Sequence, residues 1–158
     1  VDVVRVGTTE ELRAATLAAA ADADTVVMAA APADFRPATY ASGKIKKSDD
    51  GVAPTIELVT NPDIAAELGR LRRPGQVLVI FAAETDDAEA NGRAKLARKG
   101  ADLIVVNEVG VDKVFGADTN AATVIGADGA VHRLSEQPKE ALADAVWDLV
   151  CPRLPLPS

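Results

Sequence analysis

Three short runs in this chain are apolar almost from end to end: Thr25-Val26-Val27-Met28, Val77-Leu78-Val79-Ile80-Phe81-Ala82-Ala83 and Leu103-Ile104-Val105-Val106-Asn107. They are rich in β-branched residues and lack a polar face. A strand of that kind is covered on both sides, which predicts a parallel sheet sandwiched between helices. The first two runs give way to small residues, Ala29-Ala30-Ala31-Pro32-Ala33 and Ala82-Ala83, each followed by an acid, Asp34 or Glu84. In open α/β sheets ligands sit beyond the carboxyl ends of the strands, and small side chains there let a ligand reach the backbone.

The segments between these runs fit the same plan. Val1, Val3, Val4 and Val6 predict a first strand. Thr8 with Glu11 forms a capping-box pattern that opens a helix to about Ala21. Pro54 to Val59 alternates and predicts a short strand. Asn61-Pro62-Asp63-Ile64 predicts a helix start, with Asn61 as N-cap, Pro62 at the first position and Asp63 in the first turn. That helix runs to about Leu71. Asp86 to Lys99 predicts another, stopped by Gly100. Asp128-Gly129 between two apolar stretches signals a hairpin. Pro138 opens a last helix with the stripe Leu142, Ala145, Val146 and Leu149. The expected architecture is a single three-layer α/β domain with a mostly parallel sheet and an antiparallel hairpin extension. It covers residues 1–151, followed by a flexible tail over 152–158.

Ala41 to Gly51 is polar, glycine-flanked and carries Lys44, Lys46 and Lys47. With neither helical nor strand period, it predicts a mobile loop placed after a strand end, as a lid over an anion would be. The net charge of −7 argues against a general nucleic-acid or anionic-membrane surface. Lysine clusters against that background favour one specific anionic ligand. Cys151 is the single cysteine, so no intrachain disulfide forms, which suits a reducing compartment. No signal-peptide core and no apolar run of about 18 residues is present, and a cytoplasmic location is expected.

Each candidate has an ordinary reading beside the functional one. Lys95 and Lys99 share one helix face and could grip a polyphosphate, or complement the dipole at a helix C-terminus. Asn61 to Ile64 is accounted for by capping, although a helix N-terminus also binds anions. Asp34 caps a turn or holds a ribose or base. Phe81 packs in the core by default and stacks on a base in the sharper reading. With one histidine, His132, and one cysteine, a zinc site or a Cys–His pair has little support. No glycine fingerprint for dinucleotides and no P-loop occurs.

Taken together, several motifs carry a resemblance. They are Ala29 to Pro37, Lys44-Ile45-Lys46-Lys47, Asn61-Pro62-Asp63-Ile64, Phe81-Ala82-Ala83-Glu84-Thr85, Lys95 with Lys99, Asp102 to Asn107, and Phe115-Gly116-Ala117-Asp118-Thr119-Asn120. In order and spacing the chain resembles bacterial phosphopantothenoylcysteine synthetase, the ligase half of a bifunctional coenzyme A biosynthesis flavoprotein. The resemblance implies a Rossmann-like domain. It implies CTP as the activating nucleotide, with Mg²⁺, and 4'-phosphopantothenate and L-cysteine as the substrates to be joined through an acyl-cytidylate. It implies Lys44 as the catalytic lid lysine, also touching nucleotide. Lys95 and Lys99 would hold the triphosphate. Met28, Ala29, Ala30, Asp34, Asn61, Pro62, Asp63, Ile64 and Phe81 would form the nucleotide pocket, and Ala31 would touch phosphopantothenate. No metal ligand is assigned. A homodimer through the strands after Asn107 is implied, as is fusion to a flavin-dependent decarboxylase domain. The family's N-terminal glycine-rich segment and Asn-x-Ser-Ser-Gly loop have no counterpart here, so the chain is expected to bind nucleotide without necessarily turning over. Ile80 stands where the family has glycine, either narrowing the pocket or packing in the core. Two competing readings stay open: a nucleotide-binding module without ligase activity, and an NAD(P)-dependent Rossmann oxidoreductase, which would require a glycine fingerprint.

Overall fold

The computed structural model describes residues 1–46, 51–84, 87–108 and 118–155. Lys47, Thr85 and Phe115-Gly116-Ala117, named in the motifs above, lie outside them, as do Asp86, most of the 108–120 connection and residues 156–158.

Helix α1 (Thr9–Ala20) begins on its capping box. Thr8 Oγ1 accepts from Glu11 N at 3.1 Å, and Glu11 Oε2 accepts from Thr8 N at 3.1 Å and Gly7 N at 2.7 Å. Thr8→Ala removes one of these and should lower stability by about 1 kcal/mol. The change should appear as a lower urea midpoint at unchanged slope.

The sheet contains β1 (Thr25–Met28), β4 (Val77–Glu84), β5 (Leu103–Glu108), β6 (Thr119–Gly126) and β7 (Val131–Pro138), in the order β1-β4-β5-β6-β7. β1, β4 and β5 pair in parallel, and β6 and β7 continue antiparallel. β7 therefore runs with β5, and four strands share one direction. The hairpin turns at Asp128-Gly129, where Gly129 takes φ +88°, a conformation glycine adopts without strain.

The apolar runs alternate between two cores. Leu78, Ile80, Ile104 and Val106 face one side, where α1, α2 (Ile64–Leu71) and α3 (Ala88–Lys99) supply Leu12, Ile64, Leu68 and Leu96. Val77, Val79, Leu103 and Val105 face the other, under Leu142, Val146 and Val150 of α4 (Lys139–Val150). This is the expected three-layer arrangement. Ile80 is 2% exposed and belongs to the first core, which settles its packing.

The predicted first strand is absent: Val1 to Val6 are exposed and outside any sheet. A valine pattern makes a strand only where a ladder partner is available. β1 pairs with β4 alone among the described residues, and nothing pairs with its other edge. A two-stranded sheet was missed. β2 (Phe35–Pro37) pairs antiparallel with β3 (Leu58–Thr60), so the strand expected over Pro54–Val59 starts later, and the two strands form a narrow arm with Lys44 on the connection between them. β2 has three residues and ends in Pro37, which has no N–H to give a ladder; such a segment shows no period to read. The expected tail is tied down in its first part. Cys151–Arg153 forms a 3₁₀ turn, and Arg153 donates to Leu149 O at 2.7 Å and pairs with Asp128 at 2.6 Å.

Candidate functional site

The carboxyl ends of β1 and β4 meet the N-terminus of α2 and the lysine-bearing face of α3. Helical side chains lean toward their own N-terminus. Because α3 descends from the end of β4, Lys95 and Lys99 lean back toward the strand ends rather than onto the last carbonyls of their helix. Lys95 Nζ lies 2.5 Å from Glu84 Oε1, at the last residue of β4, and Lys99 Nζ lies 3.2 Å from Asp63 Oδ1. The dipole-capping role is thus not what their ammonium groups do. Gly100 closes α3 in the left-handed conformation, its N–H reaching Ala97 O and Leu96 O.

Asp63, not Asn61, caps α2: its carboxylate accepts from Ala66 N at 3.1 Å. Asn61 does something else. Its Nδ2 donates to Ala33 O at 2.8 Å, and its backbone N–H donates to Asp34 O at 2.8 Å. Its Oδ1 accepts from Arg36 Nη1 at 3.0 Å, and the same nitrogen donates to Thr60 O at 3.0 Å. Asn61 therefore clamps the small-residue loop after β1 to the start of α2. Both Asn61 and Asp63 satisfy N-cap preference; with Pro62 between them, the helix begins two residues later than the dipeptide Asn-Pro suggests. Arg36 is a site residue that carried no role in the sequence reading, although its place beside Pro37 and Asp34 was visible.

Partial burial works to raise the Asp63 carboxyl, but the Ala66 N–H and the Lys99 ammonium outweigh it, and the group is held below its ordinary value. Arg13 lowers Glu67 in the same direction across the α1–α2 contact, through its hydrogen bond first and its charge after. A carboxyl depressed in the folded state contributes stability above its unfolded value and loses it as pH falls through the folded one. Acid unfolding should therefore set in as pH drops below about 4 to 5, while stability stays flat above. Asp63→Asn keeps an N-cap residue but cannot ionise, so its acid limb, followed by circular dichroism, should be shallower than that of the wild type.

The remaining candidates are placed as follows. Met28 is buried at the end of β1; Ala29, Ala30, Ala31 and Asp34 are exposed on the loop after it. Pro62 is half-buried, and Ile64 is buried under the sheet. Phe81 packs with the α4-side core, its default role, on the face opposite Lys95 and Lys99. Lys44 is exposed on the connection between β2 and β3 and is not a partner in either ion pair. So the structure gathers Lys95, Lys99, Asp63, Asn61 and the Ala33–Asp34 loop, adds Glu84 and Arg36, and leaves Lys44 and the Phe81 ring outside that group.

A cavity of about 360 Å³ lies at the other end of the sheet, between Arg72, Gln76, Asp102 and Arg153. Its arginines are occupied internally: Arg72 with Asp102, Arg73 with Ala23 O at 2.9 Å, Arg153 with Asp128. Among the described residues, no three histidine, cysteine or acidic side chains cluster as a metal site. Nor is any described helix long and apolar enough to cross a membrane.

Parallel strands between helix layers, with small residues and two lysines gathered at their carboxyl ends, define a Rossmann-like α/β domain. The chain belongs to the family described as DNA/pantothenate metabolism flavoprotein C-terminal domain, which matches residues 1–153. It is 43% identical over 159 residues to the coenzyme A biosynthesis bifunctional protein CoaBC of Mycobacterium bovis, covering 95% of this chain and 38% of that protein. The Vibrio cholerae protein of the same name is 41% identical over 141 residues, covering 89% of this chain and 35% of its own length. The solved C-terminal domain of a CoaBC protein superposes with a TM-score of 0.74 at 28% identity, covering 93% of this chain and 63% of the other. The chain thus spans little more than a third of the length of the curated relatives it matches.

Proposed function

We propose that this chain carries the nucleotide site of a CTP-dependent phosphopantothenate–cysteine ligase acting in coenzyme A biosynthesis. The observation that carries the reading is the pair Lys95 and Lys99, aimed at the strand ends and held there by Glu84 and Asp63. Two cations above small residues and a helix N-terminus suit a polyphosphate. Similarity to proteins named for coenzyme A biosynthesis supplies the pathway.

In this reading the triphosphate lies between Lys95, Lys99 and the start of α2, Asn61 to Ile64. The base and ribose sit over Met28 to Ala30 and Asp34, with Phe81 behind them across β4. Mg²⁺ accompanies the nucleotide and shares the phosphate charge. A carboxylate oxygen of 4'-phosphopantothenate, passing Ala31, bonds to the α-phosphorus, and the bond to the β-phosphate breaks, releasing pyrophosphate. The amine of cysteine then attacks the acyl carbon and CMP leaves with the electron pair of the broken C–O bond. Lys44 swings on the β2–β3 arm to meet the charge that develops, where a cation in a water-poor site acts far more strongly than in bulk water. The same reading gives a homodimer through the strands after Asn107, β6 and β7, and a flavin-dependent decarboxylase domain as the fusion partner in the full-length protein. It places the protein in the cytoplasm.

Calorimetric titration of the folded chain with Mg²⁺·CTP, against Mg²⁺·ATP, tests the reading. Binding of CTP with ATP clearly weaker supports it. A folded chain that binds neither overturns it.

A further inference from the structure

Glu84 is a buried carboxylate for which the mechanism above has no use. Its side chain is 10% exposed, and Oε1 is out of solvent. The ammonium of Lys95 is 2.5 Å away and balances its charge without the alignment of a hydrogen bond. Acids that serve only structure are satisfied more fully. Asp102 shows the contrast: its Oδ2 accepts from Leu78 N at 2.8 Å and pairs with the Arg72 guanidinium. Lysine, a point charge on a flexible stem, is also the cationic partner most easily exchanged.

Consider then what a triphosphate does here. Lys95 is drawn to phosphate, and Glu84 is left buried, charged and uncompensated. That state is strongly unfavourable unless another cation replaces the ammonium. Mg²⁺ is commonly held by one or two carboxylates together with substrate phosphates. We propose that Glu84 receives the divalent cation of the metal–nucleotide complex, in exchange for Lys95. The proposal rests on the nucleotide reading above and adds a metal ligand to it.

The test compares CTP affinity in Mg²⁺ with CTP affinity in EDTA, by calorimetry, for the wild type and for Glu84→Gln. Without metal, Glu84→Gln should bind CTP more tightly than the wild type, because a negative charge beside the phosphates is gone. The gain in affinity that Mg²⁺ gives the wild type should shrink by about tenfold or more in the variant, the scale on which disturbing a metal site alters metal affinity. A second measurement needs no variant. Paramagnetic Mn²⁺·CTP added to the wild type should erase the backbone amide NMR signal of Glu84 and spare that of Gly75, at the far end of β4. A folded Glu84→Gln chain with an undiminished Mg²⁺ gain, or a Glu84 signal that survives Mn²⁺·CTP, overturns the proposal while leaving the nucleotide site standing. Failure of the wild type to bind CTP at all removes both.

Discussion

Replacing Lys95 and Lys99 together by alanine should weaken Mg²⁺·CTP binding by about two to four orders of magnitude. Hydrogen bonds to charged groups contribute roughly 1.5–3 kcal/mol each, and each 1.4 kcal/mol is about tenfold. The two effects are not expected to add fully, because both lysines are already paired in the free protein and nucleotide binding must break those pairs. Lys99→Ala is the cleaner single change. Lys99 is paired with the exposed carboxylate of Asp63, which keeps its hydrogen bond from Ala66 N and so continues to cap α2. Lys95→Ala instead strands Glu84 and should also lower the melting temperature, since this largely buried acid loses the ammonium that balances it. Titration of each single and of the double, with the unfolding transition recorded beside it, separates lost phosphate contact from lost stability. A folded double variant that binds CTP within about threefold of the wild type (under 1 kcal/mol) would remove these lysines from the site.

Much of this arrangement is legible in the sequence. Strands β4 and β5 follow from their unbroken apolar runs, since a strand buried on both faces has little freedom to be anything else. The capping box of α1 and the Asp-Gly turn between β6 and β7 are local chemistry and were read correctly for that reason. The presence of Lys95 and Lys99 on one face followed from helical spacing, but the acids they meet did not: Glu84 and Asp63 come from other elements, and only the packed fold brings them in. Asn61 shows a subtler limit. Its residue type fits an N-cap, and nothing in the tetrapeptide says that its amide is taken by Ala33 and Arg36 from the arm. Val1 to Val6 fail for the opposite reason. Their pattern is a strand's, yet strand formation depends on a neighbour that a local pattern cannot supply.

Gly69→Ala should destabilise the domain by about 1–3 kcal/mol or more. Helix α2 crosses α3 at this residue, and a Cβ here would lie 1.8 Å from Lys99 O and 3.0 Å from Lys99 C. Those are backbone atoms, so no rotamer change relieves the clash. One helix has to move off the other, and overpacking of that kind costs about 1–3 kcal/mol and occasionally more. Alanine's better helix propensity returns less than about 1 kcal/mol, so the sign is not in doubt. The displacement also reaches the site. Lys99 is the residue whose carbonyl is struck, and its ammonium is the one that meets Asp63 at the head of α2. Pushing α3 away should therefore lengthen the Lys99–Asp63 pair and weaken CTP binding beyond what the lost stability explains. Urea unfolding and CTP titration of Gly69→Ala and Gly69→Ser measure the two effects. Both variants should fall in midpoint, and any fraction that remains folded should bind nucleotide less tightly. A Gly69→Ala chain with an unchanged midpoint would mean that α2 and α3 do not cross as closely as the structure has them.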